Sequence, residues 1–347
     1  MAPLHDAIHD SAMPHVHILM CTWNGARFLP AQLQSFLDQT HTNWSLWVRD
    51  DGSRDATLDI LTAFQAAHPG RTIQIITTAD RDVSGDISPM TAPIMARGSA
   101  ANFLSLLAHP ALPDGYAAFA DQDDVWLPHK IERGMAELDR LHETDPDKAK
   151  TDRPAVYASR SLETDADLRR PRPSTLHHRP PAFGNALVQN VLGGNTILMN
   201  PAAARLMRTT CAAALAGDGV PFHDWWVYLV LTGAGGLAVN DPEPGLLYRQ
   251  HGSNVIGANQ GLQGDIARLS MVGKGRYAGW LDRNLAALDA VSAHLTPAHR
   301  QMIADFAALR RTSGAIARRA GLKKLGLHRQ TMAGDLLLQA LALTGRL

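Results

Sequence analysis

The sequence predicts an α/β protein with a doubly wound, mainly parallel sheet, helices on both faces of the sheet and a helical appendage at the C-terminus. Strand-like and helix-like patterns alternate from residue 16 to about residue 160. Polar clusters follow the apolar runs at the points where these strands would end. From about residue 262 the apolar spacing is wholly helical. An alternating strand–helix order is typical of a parallel sheet that is covered on both faces.

The first half of the chain supplies four predicted strands and the helices between and after them. Short apolar runs at residues 16–21, 46–48, 73–76 and 116–119 are typical of buried strands. The helices are indicated by apolar residues at helical spacing, which are Leu29, Leu33 and Phe36, then Leu58, Leu61 and Phe64, then Phe103, Leu106 and Leu107, and finally Ile131, Met135 and Leu138. Residues 79–99 are rich in Asp, Ser, Gly and Pro, which predicts a loop.

The second half is less regular. The predicted strands are residues 155–159, 196–199, 237–239 and 246–248, and the predicted helices are residues 201–215 and a segment that begins at His223. Residues 164–181 are rich in Arg, Pro and His and are predicted to form a loop. We expect a flexible tail at residues 1–14, a main domain at residues 15–260 and a helical extension at residues 261–347.

The composition disfavours several classes of function and location. The chain has 347 residues with 33 Asp and Glu against 33 Lys and Arg, so bulk charge does not favour a nucleic-acid partner. Two cysteines provide neither a disulfide framework nor a metal cluster. The polar N-terminus lacks a secretory signal pattern, and no apolar run reaches transmembrane length. We therefore expect a cytoplasmic protein.

The most informative feature is the acidic run Asp121-Gln122-Asp123-Asp124, which follows the fourth predicted strand. Carboxylates buried at a strand end are costly unless a cation offsets their charge. A hard divalent ion such as Mg²⁺ or Mn²⁺, held together with substrate phosphates, meets that need. An acidic turn that caps the helix near Pro128 explains the same pattern, and the run alone favours neither interpretation.

Two more polar clusters follow predicted strands. Residues 22–25 come after the first strand, and Asp50-Asp51-Gly52-Ser53 comes after the second. In isolation, an Asp-Gly turn is the better interpretation of the latter. Ligands of open parallel sheets, however, bind outside the carboxyl ends of the strands. The three clusters together therefore predict a nucleotide site, with one acid for the base or ribose and a second cluster that holds a metal on the diphosphate.

The second half carries two further clusters. His223-Asp224-Trp225-Trp226 opens a predicted helix, where Asp224 is either an N-cap or a general base for a sugar hydroxyl. Trp225 is either a core residue or a stacking surface for a sugar. In the last cluster, Arg249 can contact a diphosphate and neutral His251 can bind a metal, although most histidines are surface or core residues.

In this order and spacing, the clusters resemble the family 2 glycosyltransferases of the GT-A fold. The resemblance covers roughly residues 15–255, and its finer pattern is similar to that of rhamnosyltransferase-like members. The residues that carry it are Thr22-Trp23-Asn24-Gly25, Asp50-Asp51-Gly52-Ser53-Arg54-Asp55, Asp121-Gln122-Asp123-Asp124-Val125-Trp126 with Leu127-Pro128-His129-Lys130, then His223-Asp224 and residues 249–254.

The resemblance implies an inverting transfer from a nucleotide-diphospho-sugar to an acceptor hydroxyl, with Mg²⁺ or Mn²⁺ as cofactor. The implied nucleotide contacts are Thr22, Asn24, Asp51, Arg97 and Asp121, the last of them near the ribose or the metal. Asp123 is implied as the direct metal ligand, and His251 as the residue that completes the metal or diphosphate site. Asp224 is implied as the catalytic base. The implied acceptor or diphosphate contacts are Trp225 and Arg249.

The chain departs from the family pattern in two ways. His223 stands where the family often has Glu, which affects the acceptor side, and the Gln-x-x-Arg-Trp run of processive synthases is absent, which favours addition of one sugar. The family also implies a donor such as dTDP-L-rhamnose and a glycan or lipid-linked glycan acceptor in cell-surface polysaccharide or lipopolysaccharide synthesis. The basic C-terminal helices indicate a solvated face, a homodimer contact or peripheral association with the inner face of the cell membrane.

Three other functions fit parts of the pattern. Nucleotidyl transfer uses a similar sheet and metal, but the chain lacks a Gly-rich N-terminal loop followed by a basic run. An Asp-x-Asp phosphatase would have Thr where Val125 stands. A catalytically silent nucleotide-sugar-binding or assembly protein is disfavoured by the intact acids at 121, 123 and 224.

Overall fold

The computed structural model describes residues 13–77, 98–146, 152–251 and 275–347. Its sheet begins with four parallel strands in the order β3-β2-β1-β4, which are β1 (Val16–Thr22), β2 (Trp44–Asp50), β3 (Ile73–Ile76) and β4 (Tyr116–Asp121). The helices of this half are α1 (Leu29–Leu37), α2 (Thr57–Ala67) and α3 (Ser99–Leu107). The register pairs Thr22 with Asp50 and Cys21 with Asp121, so three carboxyl ends meet at one edge.

Both faces of the sheet are buried because apolar side chains alternate between them. On β1, Leu19 packs with Phe119 of β4 in one core cluster, while Ile18 and Met20 belong to a second cluster on the opposite face. Helices α1 and α2 cover the second face, and α3 covers the first. Helices on both faces confirm the fold class that the sequence predicts.

The second half extends the sheet in the order β4-β8-β6-β9-β5, with β7 beside β6. The elements are β5 (Val125–Trp126), α4 (Lys130–Thr144), β6 (Ala155–Thr164), β7 (Arg172–Pro173), α5 (Phe183–Ala186), a 3₁₀ turn (Gly194–Thr196), β8 (Ile197–Met199), α6 (Pro201–Leu215), α7 (His223–Gly233) and β9 (Leu237–Arg249). β6 and β9 are parallel, whereas β8 is antiparallel to both of its neighbours.

The structure differs from the predicted elements at two places in this half. The predicted strands at 237–239 and 246–248 form one long strand, β9, whose pairing with β6 shifts register between Ser159 and Ser161. Pro242 and Pro244 interrupt the apolar pattern at this irregularity, since proline has no backbone N–H for the sheet. The predicted loop at 164–181 contains the short strand β7.

The C-terminal part consists of α8 (Arg276–Ala290), a 3₁₀ turn (Ser292–His294), α9 (Pro297–Arg311), α10 (Ala315–Lys324) and α11 (Met332–Thr344). Leu281, Leu288 and Phe306 share a core cluster with the residues of α6 and α7, and Tyr277 Oη donates to the Val188 carbonyl at 2.7 Å. The predicted domain boundary at 260 and the tail at 1–12 lie outside the described residues. Within the described ranges, no helix is both long and apolar enough to cross a bilayer.

Candidate functional site

The polar clusters after β1, β2 and β4 lie side by side at one sheet edge. The Thr22 hydroxyl donates to Asp50 Oδ1 at 3.1 Å, and the Asp51 backbone N–H donates to the Thr22 carbonyl at 2.9 Å. Gln122, the residue after β4, makes two hydrogen bonds to the backbone of Trp23. Its Oε1 accepts from the Trp23 N–H at 2.9 Å, and its Nε2 donates to the Trp23 carbonyl at 3.0 Å. The parallel register therefore brings together the clusters that the sequence singled out.

Asp50 and Asp51 have different surroundings. The Asp50 carboxylate is buried and accepts from Thr22 and from the backbone N–H groups of Gly52 and Ser53, at 3.1 and 2.8 Å for the latter two. Asp51 is half-buried, and within the described ranges its carboxylate accepts no hydrogen bond. Asp50 thus fixes the turn, which leaves Asp51 as the acid that can contact a ligand. Arg97, the predicted neighbour of Asp51 in the nucleotide pocket, lies outside the described residues.

Asn24 ties the first turn to the second. Its backbone has a positive φ of 48°, a conformation that Asn tolerates better than most residues. Its N–H donates to Ser53 Oγ at 2.8 Å, and its side-chain oxygen accepts from the Arg54 N–H at 2.8 Å. Asn24 is exposed at the predicted nucleotide pocket, and its observed contacts are those of a turn residue.

The acidic run forms a compact cluster. One carboxylate oxygen each from Asp121, Asp123 and Asp124 lies within 4.8 Å of the others. Burial, followed by the charges of Asp123 and Asp224, raises the pKa of Asp121 to about 7. Burial also raises the pKa of Asp124 well above its usual range, and the charges of Asp121 and Asp123 add to this effect. The carboxylates therefore repel one another in a setting that favours a cation.

Asp124 is not the helix cap that its sequence position suggests, because α4 begins only at Lys130. Its carboxylate is 0% exposed and accepts from Asn195 Nδ2 at 2.5 Å and from the Arg249 N–H at 3.3 Å. Burial lowers the pKa of Lys130 to about 7, and the charge of Asp124 opposes that change. Asp124 thus joins β4, the Gly194–Thr196 turn and β9.

Asp123 is half-buried and faces the end of β9. His251 Nε2 lies 2.6 Å from Asp123 Oδ2, and Arg249 Nε donates to the Asp123 carbonyl at 2.8 Å. The Arg249 Cζ atom lies 4.6 Å from the centre of the Phe28 ring, and the His251 ring lies 4.8 Å from the same ring. The predicted metal ligands Asp123 and His251 are therefore brought together. Arg249 also donates from Nη1 to the Ala166 carbonyl at 2.5 Å. This hydrogen bond ties the segment after β6 to the end of β9.

Asp224 lies in the first turn of α7. Its Oδ2 accepts from the Gly194 N–H at 3.2 Å, and its Oδ1 accepts from the Trp225 N–H at 2.7 Å. Burial raises the pKa of Asp224 to about 6. The Gly194–Thr196 turn therefore holds two carboxylates at once, because Gly194 binds Asp224 and the neighbouring residue Asn195 binds Asp124.

The residues on either side of Asp224 belong to the core. Trp225, the predicted acceptor or diphosphate contact, is 3% exposed, and its indole N–H donates to the Ala186 carbonyl at 2.7 Å, which are the surroundings of a core residue. His223 stacks on Phe103 at 4.2 Å, and burial lowers its pKa to about 3. The exposed aromatic residue of the site is Trp23, which is 60% exposed.

A cavity of about 430 Å³ opens beside Asp224. It lies between β6, the segment before β8, and β9, and its lining is rich in hydroxyl, amide and carboxylate groups. Residues that supply these groups are Ser159, Ser161, Glu163, Asn190, Asn195 and Asn240. A cavity with this lining suits a hydroxylated molecule, one end of which meets Asp224.

The donor set fits a hard divalent cation. Oxygen ligands from carboxylates are those that Mg²⁺ and Mn²⁺ prefer, and imidazole is compatible with Mn²⁺. Asp121, Asp123 and His251 lie at the carboxyl end of β4 and the adjacent end of β9. After burial, the charges of Asp123 and Asp224 raise the pKa of Asp121, and a cation at this place would offset those charges.

Sequence reasoning missed several residues that build the site. They are Gln122, Asn190, Asn195 and Phe28. The sequence does contain a turn signal at Gly193-Gly194-Asn195 and an aromatic residue, Phe28, three positions after Gly25. Only the folded chain, however, places these residues beside the acids.

Comparison with known proteins finds matches among glycosyltransferases. The family model for glycosyl transferase family 2 matches residues 17–85. Over 256 residues the chain is 25% identical to the dTDP-rhamnosyl transferase RfbG of Shigella flexneri, which covers 73% of this chain and 78% of that protein. Over 117 residues it is 28% identical to WfgD of Escherichia coli, described as a UDP-Glc:alpha-D-GlcNAc-diphosphoundecaprenol beta-1,3-glucosyltransferase. This match covers 34% of this chain and 38% of that protein.

Solved structures share the fold. The structure of S. aureus TarS 1–349 in complex with UDP-GlcNAc superposes with a TM-score of 0.53 at 12% sequence identity, and the match covers 96% of this chain and 88% of that chain. At this identity the likeness shows the fold alone. The chain therefore has the GT-A fold, with the C-terminal helices included in the matched region.

The close contact of Gly25 with Gln122 gives a first prediction. An added Cβ at Gly25 would lie 2.1 Å from Gln122 Oε1, so Gly25→Ala should expel Gln122 and break both of its hydrogen bonds to Trp23. We expect the free energy of unfolding to fall by about 1–2 kcal/mol, measured by thermal or urea unfolding. Gly70→Ala is the matched control, because no heavy atom lies within 4 Å of its added Cβ.

A double variant tests whether Gly25 acts through Gln122. Gln122→Ala removes the same two hydrogen bonds, so G25A/Q122A should be no less stable than G25A alone. Fully additive losses would show that the alanine at position 25 disturbs a different neighbour.

Proposed function

We propose that the chain is a family 2 glycosyltransferase that transfers one sugar from a nucleotide-diphospho-sugar to an acceptor hydroxyl, with inversion at the anomeric carbon; the family match at residues 17–85 and the similarity to RfbG support this. The observation that carries this proposal is the Gly194–Thr196 turn, which binds Asp124 of the acidic cluster and Asp224 beside the cavity. One rigid element thus sets the spacing between a donor-side cluster and a candidate base. Such positioning is what a direct displacement requires.

The donor occupies the edge formed by β1, β2 and β4. Asp51 accepts hydrogen bonds from the nucleobase, Thr22 and Asn24 line its pocket, and the exposed ring of Trp23 offers a stacking surface. Asp121 lies next to the ribose or the metal. We assign dTDP-L-rhamnose as the donor, because RfbG is described as a dTDP-rhamnosyl transferase and matches most of this chain. TarS, which has the same fold, binds UDP-GlcNAc and so provides the competing donor class.

Asp123, Asp121 and His251 would hold a divalent cation, either Mg²⁺ or Mn²⁺. When bound there, the cation supplies positive charge that stabilises the departing nucleoside diphosphate. Arg249 orients Asp123 through the hydrogen bond from Nε to its carbonyl. Asp124 keeps the end of β9 against the acidic cluster.

Asp224 acts as the general base. Its carboxylate takes the proton of the acceptor hydroxyl while that oxygen forms a bond to the anomeric carbon of the donor sugar. The bond between this carbon and the diphosphate oxygen breaks on the opposite side, and its electron pair leaves with the nucleoside diphosphate. One displacement of this kind inverts the configuration. Burial raises the pKa of Asp224 to about 6, which makes its carboxylate a stronger base than an exposed aspartate.

The acceptor lies in the 430 Å³ cavity beside Asp224. Its hydroxyl, amide and carboxylate lining matches the hydroxyl groups of a sugar. We assign a glycan or lipid-linked glycan as the acceptor, in cell-surface polysaccharide or lipopolysaccharide synthesis. The support for a lipid-linked acceptor is the description of WfgD, which names a diphosphoundecaprenol-linked sugar.

The base assignment predicts the behaviour of Asp224→Asn. The amide oxygen can still accept from Gly194, so the fold and donor binding should remain, while proton abstraction is lost. We expect the rate of sugar transfer to fall about 10²–10⁴-fold in a steady-state assay with donor and acceptor. The donor Kd, measured by calorimetry, should stay within about twofold of the wild-type value. Transfer at the wild-type rate would overturn the assignment.

The raised pKa of Asp224 also predicts a pH profile. The base works only when it is deprotonated, so kcat/KM should be constant above about pH 7 and should fall tenfold per pH unit well below pH 6. The profile should be recorded at saturating Mn²⁺ with a donor that is stable over this range. An acidic limb centred near pH 4 would show that the essential acid is exposed and is not Asp224.

The donor and metal assignments predict a shift in thermal stability. A donor present at a hundred times its Kd stabilises the protein by about 2.7 kcal/mol. With Mn²⁺ present, dTDP-L-rhamnose should raise the unfolding midpoint, and UDP- and GDP-sugars should not. Asp123→Ala or excess chelator should remove this shift, whereas Asp59→Ala on the exposed face of α2 should keep it. An equal shift in excess chelator would contradict the metal assignment, and a shift with UDP-GlcNAc alone would reassign the donor.

A further inference from the structure

The last two helices expose most of the large apolar side chains that the structure leaves on its surface. Within the described ranges, six large hydrophobic residues are exposed, and four of them lie on α10 and α11. They are Ile316, Met332, Leu336 and Leu343, with exposed fractions of 83%, 81%, 65% and 40%. Apolar groups gathered in this way mark an interaction surface.

These side chains are arranged along the helices. Met332, Leu336 and Leu343 are spaced at i, i+4 and i+11, so they share one side of α11. Ile316 lies on α10 at a groove of about 550 Å³ between the two helices. The same groove is lined by Arg319 and Lys323 of α10. We call this area the α10–α11 surface.

The charge around this surface is predominantly positive. Residues 297–347 contain nine Lys and Arg against two Asp and Glu, which gives a formal charge of +7 in a chain whose total is zero. Arg311, Lys323 and Lys324 are exposed, and in the described part of the chain none of them forms an ion pair or hydrogen bond. The apolar stripe is therefore flanked by positive charge that its own fold does not neutralise.

We propose that the α10–α11 surface docks on an anionic lipid bilayer. Apolar side chains beside lysine and arginine suit the interface of a bilayer, where the apolar groups enter the acyl boundary and the cations meet the head groups. A second copy docked through the same surface would bring the same positive charge to the contact and would be repelled. Nucleic acid would pair with the cations, but its phosphates would not match Ile316, Met332 and Leu336.

Hydrogen bonds connect this surface to the side of the molecule that carries Asp224. The Gln330 N–H donates to Gln189 Oε1 at 2.9 Å, Asn185 Nδ2 donates to the His328 carbonyl at 2.9 Å, and Arg329 Nη1 donates to the Val188 carbonyl at 3.1 Å. The next residue, Asn190, lines the same cavity as Asp224. Docking therefore holds the cavity at a fixed position relative to the bilayer.

Vesicle sedimentation with the full chain tests the proposal. Vesicles of phosphatidylcholine with a third phosphatidylglycerol should bind the protein at low salt, and vesicles of pure phosphatidylcholine should bind it much less. Binding to the anionic vesicles should weaken as salt is raised, because the electrostatic part is screened. Neither measurement involves a nucleotide-sugar, so the result does not depend on the proposed activity.

Two variants and one control assign the contact to this surface. Lys323→Glu with Lys324→Glu should lower the partition coefficient about thirtyfold or more, since each basic residue near the bilayer contributes about fivefold. Met332→Ser with Leu336→Ser should lower it about tenfold or more, because apolar insertion is lost. The control, Arg140→Glu with Arg205→Glu, makes the same charge change on the exposed parts of α4 and α6 and should bind as the wild type does.

The outcomes separate the proposal from its rivals. Binding to anionic vesicles that both surface variants weaken and the control retains supports it. Absence of binding by the wild type overturns it, as does an equal loss in the control. A concentration-dependent dimer in analytical ultracentrifugation that M332S/L336S abolishes, without vesicle binding, would instead assign the surface to a second copy.

Discussion

The buried carboxylate of Asp124 is the constraint on which the rest of the site depends. A fully buried charge is tolerated only when hydrogen bonds and a counter-charge replace water. Asn195 and the Arg249 N–H supply the hydrogen bonds, and Lys130 supplies a nearby positive charge. These groups come from the 3₁₀ turn, β9 and α4. Satisfying one carboxylate therefore brings to the acidic run the end of β9, which His251 follows, and the 3₁₀ turn, which also binds Asp224.

The same constraint leaves the site electrostatically unbalanced. Asp121 and Asp124 have raised pKa values, chiefly because they are buried, while burial lowers the pKa of Lys130 to about 7. Lys130 and Arg249 stand against three neighbouring carboxylates, so negative charge remains in excess. The arrangement is costly for stability and useful for function, because it favours ligands that carry positive charge to the acids. A divalent cation with its bound diphosphate would meet this demand.

The donor side of the site is predictable from sequence, and the acceptor side is not. Parallel register places the ends of β1, β2 and β4 together, so polar residues after apolar runs already indicate a site. Asn195, by contrast, lies 71 positions from its partner Asp124, and no local pattern links them. Helix α7 is buried on all sides from Trp225 onward, so its sequence has no polar face that would show Trp225 pointing inward. Long-range packing decides both features.

The distribution of charge bears on how the molecule meets a bilayer. Residues 297–347 carry a formal charge of +7, so residues 1–296 carry −7. An anionic surface attracts the first part and repels the second, which gives the protein a preferred orientation before any apolar contact forms. The hydrogen bonds between the segment before α11 and Asn185, Val188 and Gln189 then transmit this orientation to the Asp224 side. The charges that bring the protein to the surface therefore also determine which side faces it.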